Sequence, residues 1–120
     1  MNYDPDNIFA KIIEGTIPVE AVLENDHILV IKDKFPQAPV HLLILPKNPY
    51  INMTDFTQNA SDTEIIALNR ATGEMIAKFD LEENGYRIIS NAGPCGGQEI
   101  PHLHWHILGG KPLGKMLSTN

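Results

Sequence analysis

Sulfur and positive charge are both scarce in this chain. A single cysteine, Cys95, stands among 120 residues. No intrachain disulfide can form from it, and the composition suits a reducing compartment. No apolar run approaches the roughly 20 residues that span a bilayer. The opening Met-Asn-Tyr-Asp-Pro-Asp-Asn has neither the basic flank nor the apolar stretch of a secretory signal. The expectation is a cytoplasmic protein that does not enter a membrane. Nine Lys and Arg face 15 Asp and Glu, for a formal net charge of -6. Without a basic stripe to neutralise many phosphates, a nucleic-acid partner is not expected. A small phosphorylated ligand is still allowed, because histidines and backbone N–H groups can hold one. Repeats, low-complexity tracts and linkers are missing as well. With 42% hydrophobic and 20% charged residues, the expectation is one globular domain over residues 1–120.

The elements follow from period and punctuation. Asn7 or Asp4 caps a short helix carrying Ile8, Phe9, Ile12 and Ile13, and Gly15 stops it. Strands are expected over 19–24, 28–32 and 40–45, the last apolar throughout except for His41. Residues 33–39, with two prolines, read as a loop, and 48–60 as polar and irregular. Ser61-Asp-Thr-Glu64 fits a capping box, and Ile65, Leu68, Thr72, Met75, Ile76 and Phe79 continue at helical spacing to about residue 80. A fourth strand is expected over 86–90, then a glycine-rich loop over 91–98, then a last strand. The order predicts an α+β protein: a five-stranded antiparallel meander with one long helix and a short N-terminal one.

The last strand candidate is Pro-His-Leu-His-Trp-His-Ile-Leu-Gly-Gly. His102, His104 and His106 alternate with Leu103, Trp105 and Ile107, which predicts one apolar face and one imidazole face. Three adjacent rings are awkward for a core, since each needs hydrogen-bond partners. A lone histidine such as His27 is more often an ordinary structural residue. Two chemistries suit the triplet. Neutral imidazoles hold zinc, but along a strand the terminal α-carbons lie roughly 13 Å apart, and Glu99 is the one acid close in sequence to orient a ring. Alternatively, a neutral imidazole attacks phosphorus and forms a covalent adduct, while its neighbours stabilise charge or move protons. Gly93, Gly96 and Gly97 just upstream let backbone N–H groups approach a phosphate. The second reading is preferred, with no metal and no cofactor.

His-Leu-His-Trp-His-Ile-Leu resembles the His-φ-His-φ-His-φ-φ signature of the histidine triad (HIT) superfamily, φ being apolar. The segment 8–18, the stretch 33–46 with Pro36-Gln-Ala-Pro-Val-His41, Gly85-Tyr-Arg and Gly96-Gly-Gln98 are similar to its other blocks. Gly109-Gly110 and Pro112-Leu-Gly114 resemble its Hint branch, the purine nucleoside phosphoramidase-like one.

The resemblance implies that His104 attacks the α-phosphorus of a purine nucleotide (AMP or GMP type) bearing an amine. The P–N bond is then cleaved through a nucleotidyl-histidine. His102 and His106 would contact the phosphate and help move protons, with His41 in support. Asp33 would hold the ribose hydroxyls. Ile8, Phe9, Ile12 and Leu43 would wall the base pocket. Asn91, Gly97, Gln98 and Glu99 would line the phosphate end. Many Hint proteins carry Ser at the position of Glu99, and an ionised glutamate cannot donate as that hydroxyl does. No role falls to Cys95, expected as a small, at least half-buried thiol. The resemblance further implies a homodimer whose residues 111–120 reach the partner's site. A nucleotide-binding regulator and a dinucleoside polyphosphate hydrolase are the alternatives.

Overall fold

Two runs of Ile, Val and Leu, 28–32 and 40–46, form strands that are buried on both faces. The chain is described by a computed structural model over residues 2–118. The elements are α1 (Ile8–Ile13), β1 (Leu23–Glu24), β2 (Ile28–Lys32), β3 (Val40–Pro46), α2 (Met53–Asn59), α3 (Asp62–Lys78), β4 (Tyr86–Ser90), the single turn α4 (Gly93–Gly96) and β5 (Trp105–Gly109). On one face of the sheet Ile28, Val30, Leu42, Ile44 and Ile107 pack with Leu68, Ala71 and Met75 of α3. On the other, Leu29, Ile31, Leu43 and Leu45 pack with Phe9, Ile12 and Ile13 of α1. Covering on both sides explains why β2 and β3 read as continuous apolar runs rather than alternating ones.

The α+β class and the five antiparallel strands are as expected. The meander needs correction at its end, because the strand order is β1-β2-β3-β5-β4. The chain leaves α3 for the outer edge and forms β4 there, then β5 returns between β3 and β4. Burial gives the reason. Ile107 is fully buried, while Ile88 on β4 is 40% exposed, so the more apolar strand takes the inner place. β1 is shorter than residues 19–24. Within 48–60, α2 forms where irregular chain was expected; Asn52 caps it by accepting from the Asp55 N–H, and Phe56 is its buried anchor. Within α2 only Met53 and Phe56 are apolar, and two positions are too few to show a helical period.

Glycines 109 and 110 have steric reasons. A Cβ on Gly109 would stand 2.7 Å from a Leu81 methyl carbon. Gly110 has φ +92° and lies against Pro39, a conformation that L side chains rarely adopt. Beyond them, Arg87 donates to the carbonyls of Gly114 and Lys115. Thr119 and Asn120, the end of the segment expected to reach a partner, lie outside the described residues, as does Met1.

The capping box on α3 grows into a larger network. Glu64 is buried and accepts from the Ser61 N–H and hydroxyl, from Asn48 Nδ2 and from Tyr50 Oη. Burial alone would raise its carboxyl, but these donors hold it down at about 2. Burial and the adjacent Glu64 push Tyr50 up to about 12. A carboxylate with a depressed pKa stabilises the fold fully above its ordinary 4.5 and loses that contribution as pH falls toward 2. The network also borders the site, since the Tyr50 carbonyl accepts from the Leu103 N–H at 2.7 Å. Glu64→Gln should cost about 2 kcal/mol at pH 7, read from denaturant midpoints, and the gap to the parent should narrow at pH 3.5. A pH-independent gap would contradict an ionised Glu64.

Candidate active site

Pro101, His102, Leu103 and His104 lie ahead of β5, not in it. His102 N–H donates to the Ile100 carbonyl and Leu103 N–H to that of Tyr50. These bonds draw the segment away from the sheet ladder, so only His106 of the three histidines stands on a strand. Leu103, Trp105 and Ile107 still pack on the α3 side, as the alternation predicts.

The three rings do different things. His102 is fully buried. Its Nε2 lies 2.8 Å from the Pro46 carbonyl, which can only accept, so Nε2 carries the proton. Nδ1 then accepts from the Tyr3 hydroxyl at 2.7 Å. With both nitrogens engaged, the ring cannot reach a phosphate, contrary to the contact expected of it. Its backbone acts instead: the His102 carbonyl lies 2.7 Å from His104 Nδ1. A carbonyl beside a ring nitrogen must receive its proton, so neutral His104 carries hydrogen on Nδ1. The lone pair is left on Nε2.

His106 is set from the other side. His41 is buried on β3, and antiparallel register pairs it with Leu108 and His106 with Leu43. That diagonal places His41 Nε2 2.9 Å from His106 Nδ1. The Gln37 N–H donates to His41 Nδ1, which puts the His41 proton on Nε2. This proton faces His106 Nδ1, with Asp33 Oδ2 a second acceptor at 3.3 Å. Neutral His106 therefore carries its hydrogen on Nε2. The result is an acceptor on His104 beside a donor on His106, with the two rings 5.1 Å apart.

Both rings are neutral at neutral pH. Burial pushes His104 down from 6.5, against the His102 carbonyl and the Asp33 charge that favour protonation. Burial, with the neighbouring His104 and His41, pushes His106 down to about 4. His102 is likewise lowered by burial.

A cleft of about 1140 Å³ opens onto His104 and His106. All the residues expected of a binding pocket line it: Ile8, Phe9, Ile12, Leu43, Asp33, Asn91, Gly97, Gln98 and Glu99. Phe9 meets the His104 ring edge-on at 4.8 Å. Asp33 Oδ1 is occupied by the Phe35 N–H, leaving Oδ2 toward the cleft and His41. Two expected phosphate contacts are instead spent inside the loop. Asn91 Nδ2 donates to the Gly96 carbonyl. The Gln98 amide donates to Ile51 and Ile100 and accepts from the Gly93 N–H. Each shapes the loop around α4. Gly97 takes φ +75°, and Glu99 is exposed at the rim. Cys95 is exposed, not buried.

Three contributors had not been anticipated. The Gln37 N–H and the Pro46 carbonyl are backbone groups, whose roles leave no mark on residue identity. Tyr3 belongs to no motif.

Among the described residues, Asp33, His41 and His106 offer ligand atoms within 4.8 Å of one another. They do not fit a metal ion. Binding would require an unprotonated His41 Nε2, which moves its hydrogen to Nδ1 and sets it against the Gln37 N–H, donor against donor. The triplet does not converge either, because His102 points both nitrogens elsewhere.

A model of the HIT domain matches residues 14–113. An uncharacterized 13.2 kDa HIT-like protein of Azospirillum brasilense is 47% identical over 116 residues, covering 97% of this chain and 95% of that one. The purine nucleoside phosphoramidase of Escherichia coli K12 is 36% identical over 113 residues, with 94% of each chain covered. Among solved structures, a HIT family hydrolase from Legionella pneumophila superposes with TM-score 0.82 at 38% identity, covering 91% of this chain and 96% of that one. A histidine triad protein from Clostridium difficile also gives 0.82, at 36% identity, covering 98% and 100%.

Nitrogen NMR of the free protein should find hydrogen on Nδ1 of His104, and His106 neutral until about pH 4. An unfolded chain takes up that proton near 6.5, so His106 lowers stability as pH falls from 6.5 toward 4. A His106 that charges near 6.5 would contradict the buried neutral pair.

Proposed function

Because this chain belongs to the HIT domain family, we propose that it is a hydrolase that cleaves the P–N bond of purine nucleoside phosphoramidates through a nucleotidyl adduct on His104. The observation that carries this reading is the hydrogen bond between His104 Nδ1 and the His102 carbonyl. It leaves a lone pair on Nε2 in a cleft lined for a nucleotide. The relative named a purine nucleoside phosphoramidase supports the substrate class.

In the first step His104 Nε2 bonds to the α-phosphorus and the P–N bond breaks toward nitrogen. The amine leaves after taking one proton from water at the mouth of the cleft. Water then adds to phosphorus, the P–Nε2 bond returns its electron pair to His104, and the proton shed by that water restores the balance. The products are an amine and a nucleoside monophosphate. His106 Nε2–H donates to a phosphate oxygen or to the leaving nitrogen, where charge develops. His41 and Asp33 hold His106 in that tautomer, and Asp33 Oδ2 offers an acceptor for the ribose hydroxyls. Ile8, Phe9, Ile12 and Leu43 wall the purine, of AMP or GMP type. His102 positions the nucleophile through its carbonyl. Of the loop, Gly97 and the rim residue Glu99 remain open to the phosphate or leaving group, while Asn91 and Gln98 hold its shape.

The protein works as a single HIT domain over residues 1–120 and in the cytoplasm. Among the described residues, no helix is long and apolar enough to cross a membrane. A homodimer is part of the same reading. β4 is an open edge carrying exposed Tyr86 and Ile88, and Met116 and Leu117 are 82% and 76% exposed.

His104→Ala should lower amine release from an adenosine phosphoramidate by about 10³-fold or more, while nucleotide binding stays measurable by calorimetry. For the parent, kcat/KM should rise with pH along a limb below 6.5, since the nucleophile must be neutral and burial lowers its pKa. Full activity in the variant, or a limb above 6.5, would sink the mechanism.

A further inference from the structure

The N-terminal segment touches the histidines from outside the cleft. Tyr3 does not line the cleft, yet its hydroxyl stands 2.7 Å from His102 Nδ1 and its ring meets the His102 ring edge-on at 5.6 Å. We propose that Tyr3 is a positioning residue, holding His104 in its attacking tautomer by fixing the His102 whose carbonyl receives the His104 proton. The kinetic part of this inference rests on the reading of His104 as the nucleophile.

Consider what fixes the His102 carbonyl. Residues 102–104 have no place in the sheet ladder, so strand pairing does not hold that peptide. It is held by the His102 N–H to Ile100, by the Leu103 N–H to Tyr50 and by the His102 ring. The ring has two anchors, the Pro46 carbonyl at the end of β3 and the Tyr3 hydroxyl. Without the hydroxyl, a fully buried Nδ1 lone pair is left unmatched. A buried polar atom left without a partner is costly, and the ring relieves it by turning, or by taking a proton or water. Each response moves or repolarises the peptide that sets the His104 tautomer. Every Nε2-protonated His104 is a molecule without a nucleophile facing phosphorus.

Tyr3 is itself placed with some care. Asn7 donates from its side chain and from its backbone N–H to the Asp4 carbonyl, and its Oδ1 caps α1 at Ala10. Asn7 is buried. The segment is thus tied to the start of the helix that carries Phe9, whose ring meets His104 at 4.8 Å and His102 at 6.3 Å. Burial raises the Tyr3 hydroxyl above its usual 10, so at neutral pH it keeps the proton it donates.

The test uses the full chain as parent, Tyr3→Phe, and a form with 3-fluorotyrosine at position 3 that keeps a hydroxyl. Thermal melts choose a temperature at which all three are folded. Imidazole nitrogen spectra should show His104 with hydrogen on Nδ1 in the parent and the fluorinated form, and a mixture of tautomers in Tyr3→Phe. On an adenosine phosphoramidate, Tyr3→Phe should lose about tenfold in kcat with KM within twofold, and the fluorinated form should match the parent. An unchanged His104 spectrum in Tyr3→Phe overturns the proposal whatever the rates do, as does an unchanged kcat. If the parent itself does not turn over the substrate, the proposed reaction fails, and the His104 spectrum alone still decides the role of Tyr3.

Discussion

The 2.7 Å contact between His104 Nδ1 and the His102 carbonyl is the interaction on which the chemistry of this site depends. A histidine free in solution exchanges its proton between two nitrogens. Here a backbone acceptor fixes the proton on one of them and leaves the other as a lone pair. That choice requires no charge, which matters in a buried place. Burial already lowers the pKa of His104 and His106, so both rings stay neutral where a free imidazole begins to charge.

A mirrored arrangement acts on His106. The Gln37 N–H orients His41, and His41 Nε2–H orients His106. One relay starts at a carbonyl and produces an acceptor; the other starts at an N–H and produces a donor. The fold brings their ends together because β3 and β5 are neighbours, and because His41 and His106 share the face opposite α3. Had β4 and β5 followed sequence order across the sheet, His41 would lie two strands from His106. The unexpected strand order is therefore what completes the site.

Much of this could be read from the residues. Alternation at 102–107 correctly put Leu103, Trp105 and Ile107 on one apolar face, which packs in the core with α3. The Ser61–Glu64 capping box formed as expected, and a capped run of apolar residues located α3. The residues that the resemblance assigns to a pocket line one cleft. What stayed hidden is backbone chemistry and competition for hydrogen bonds. Periodicity could not show that His102 sits off the strand, because it counts side chains and not carbonyls. Asn91 and Gln98 are right for a phosphate in type, but the loop uses their amides first. Met53 and Phe56 are too few to announce α2. Tyr3, 99 residues from His102, has no local signal at all.

The most direct test of a covalent path through His104 is the mass of its peptide after brief exposure to an adenosine phosphoramidate and rapid acid-free quenching. The account predicts a gain of one nucleotide, located on His104 by fragmentation and absent in His104→Ala. A nucleotide carried by His106 or His102, or turnover with no adduct under conditions that slow water attack, would contradict it.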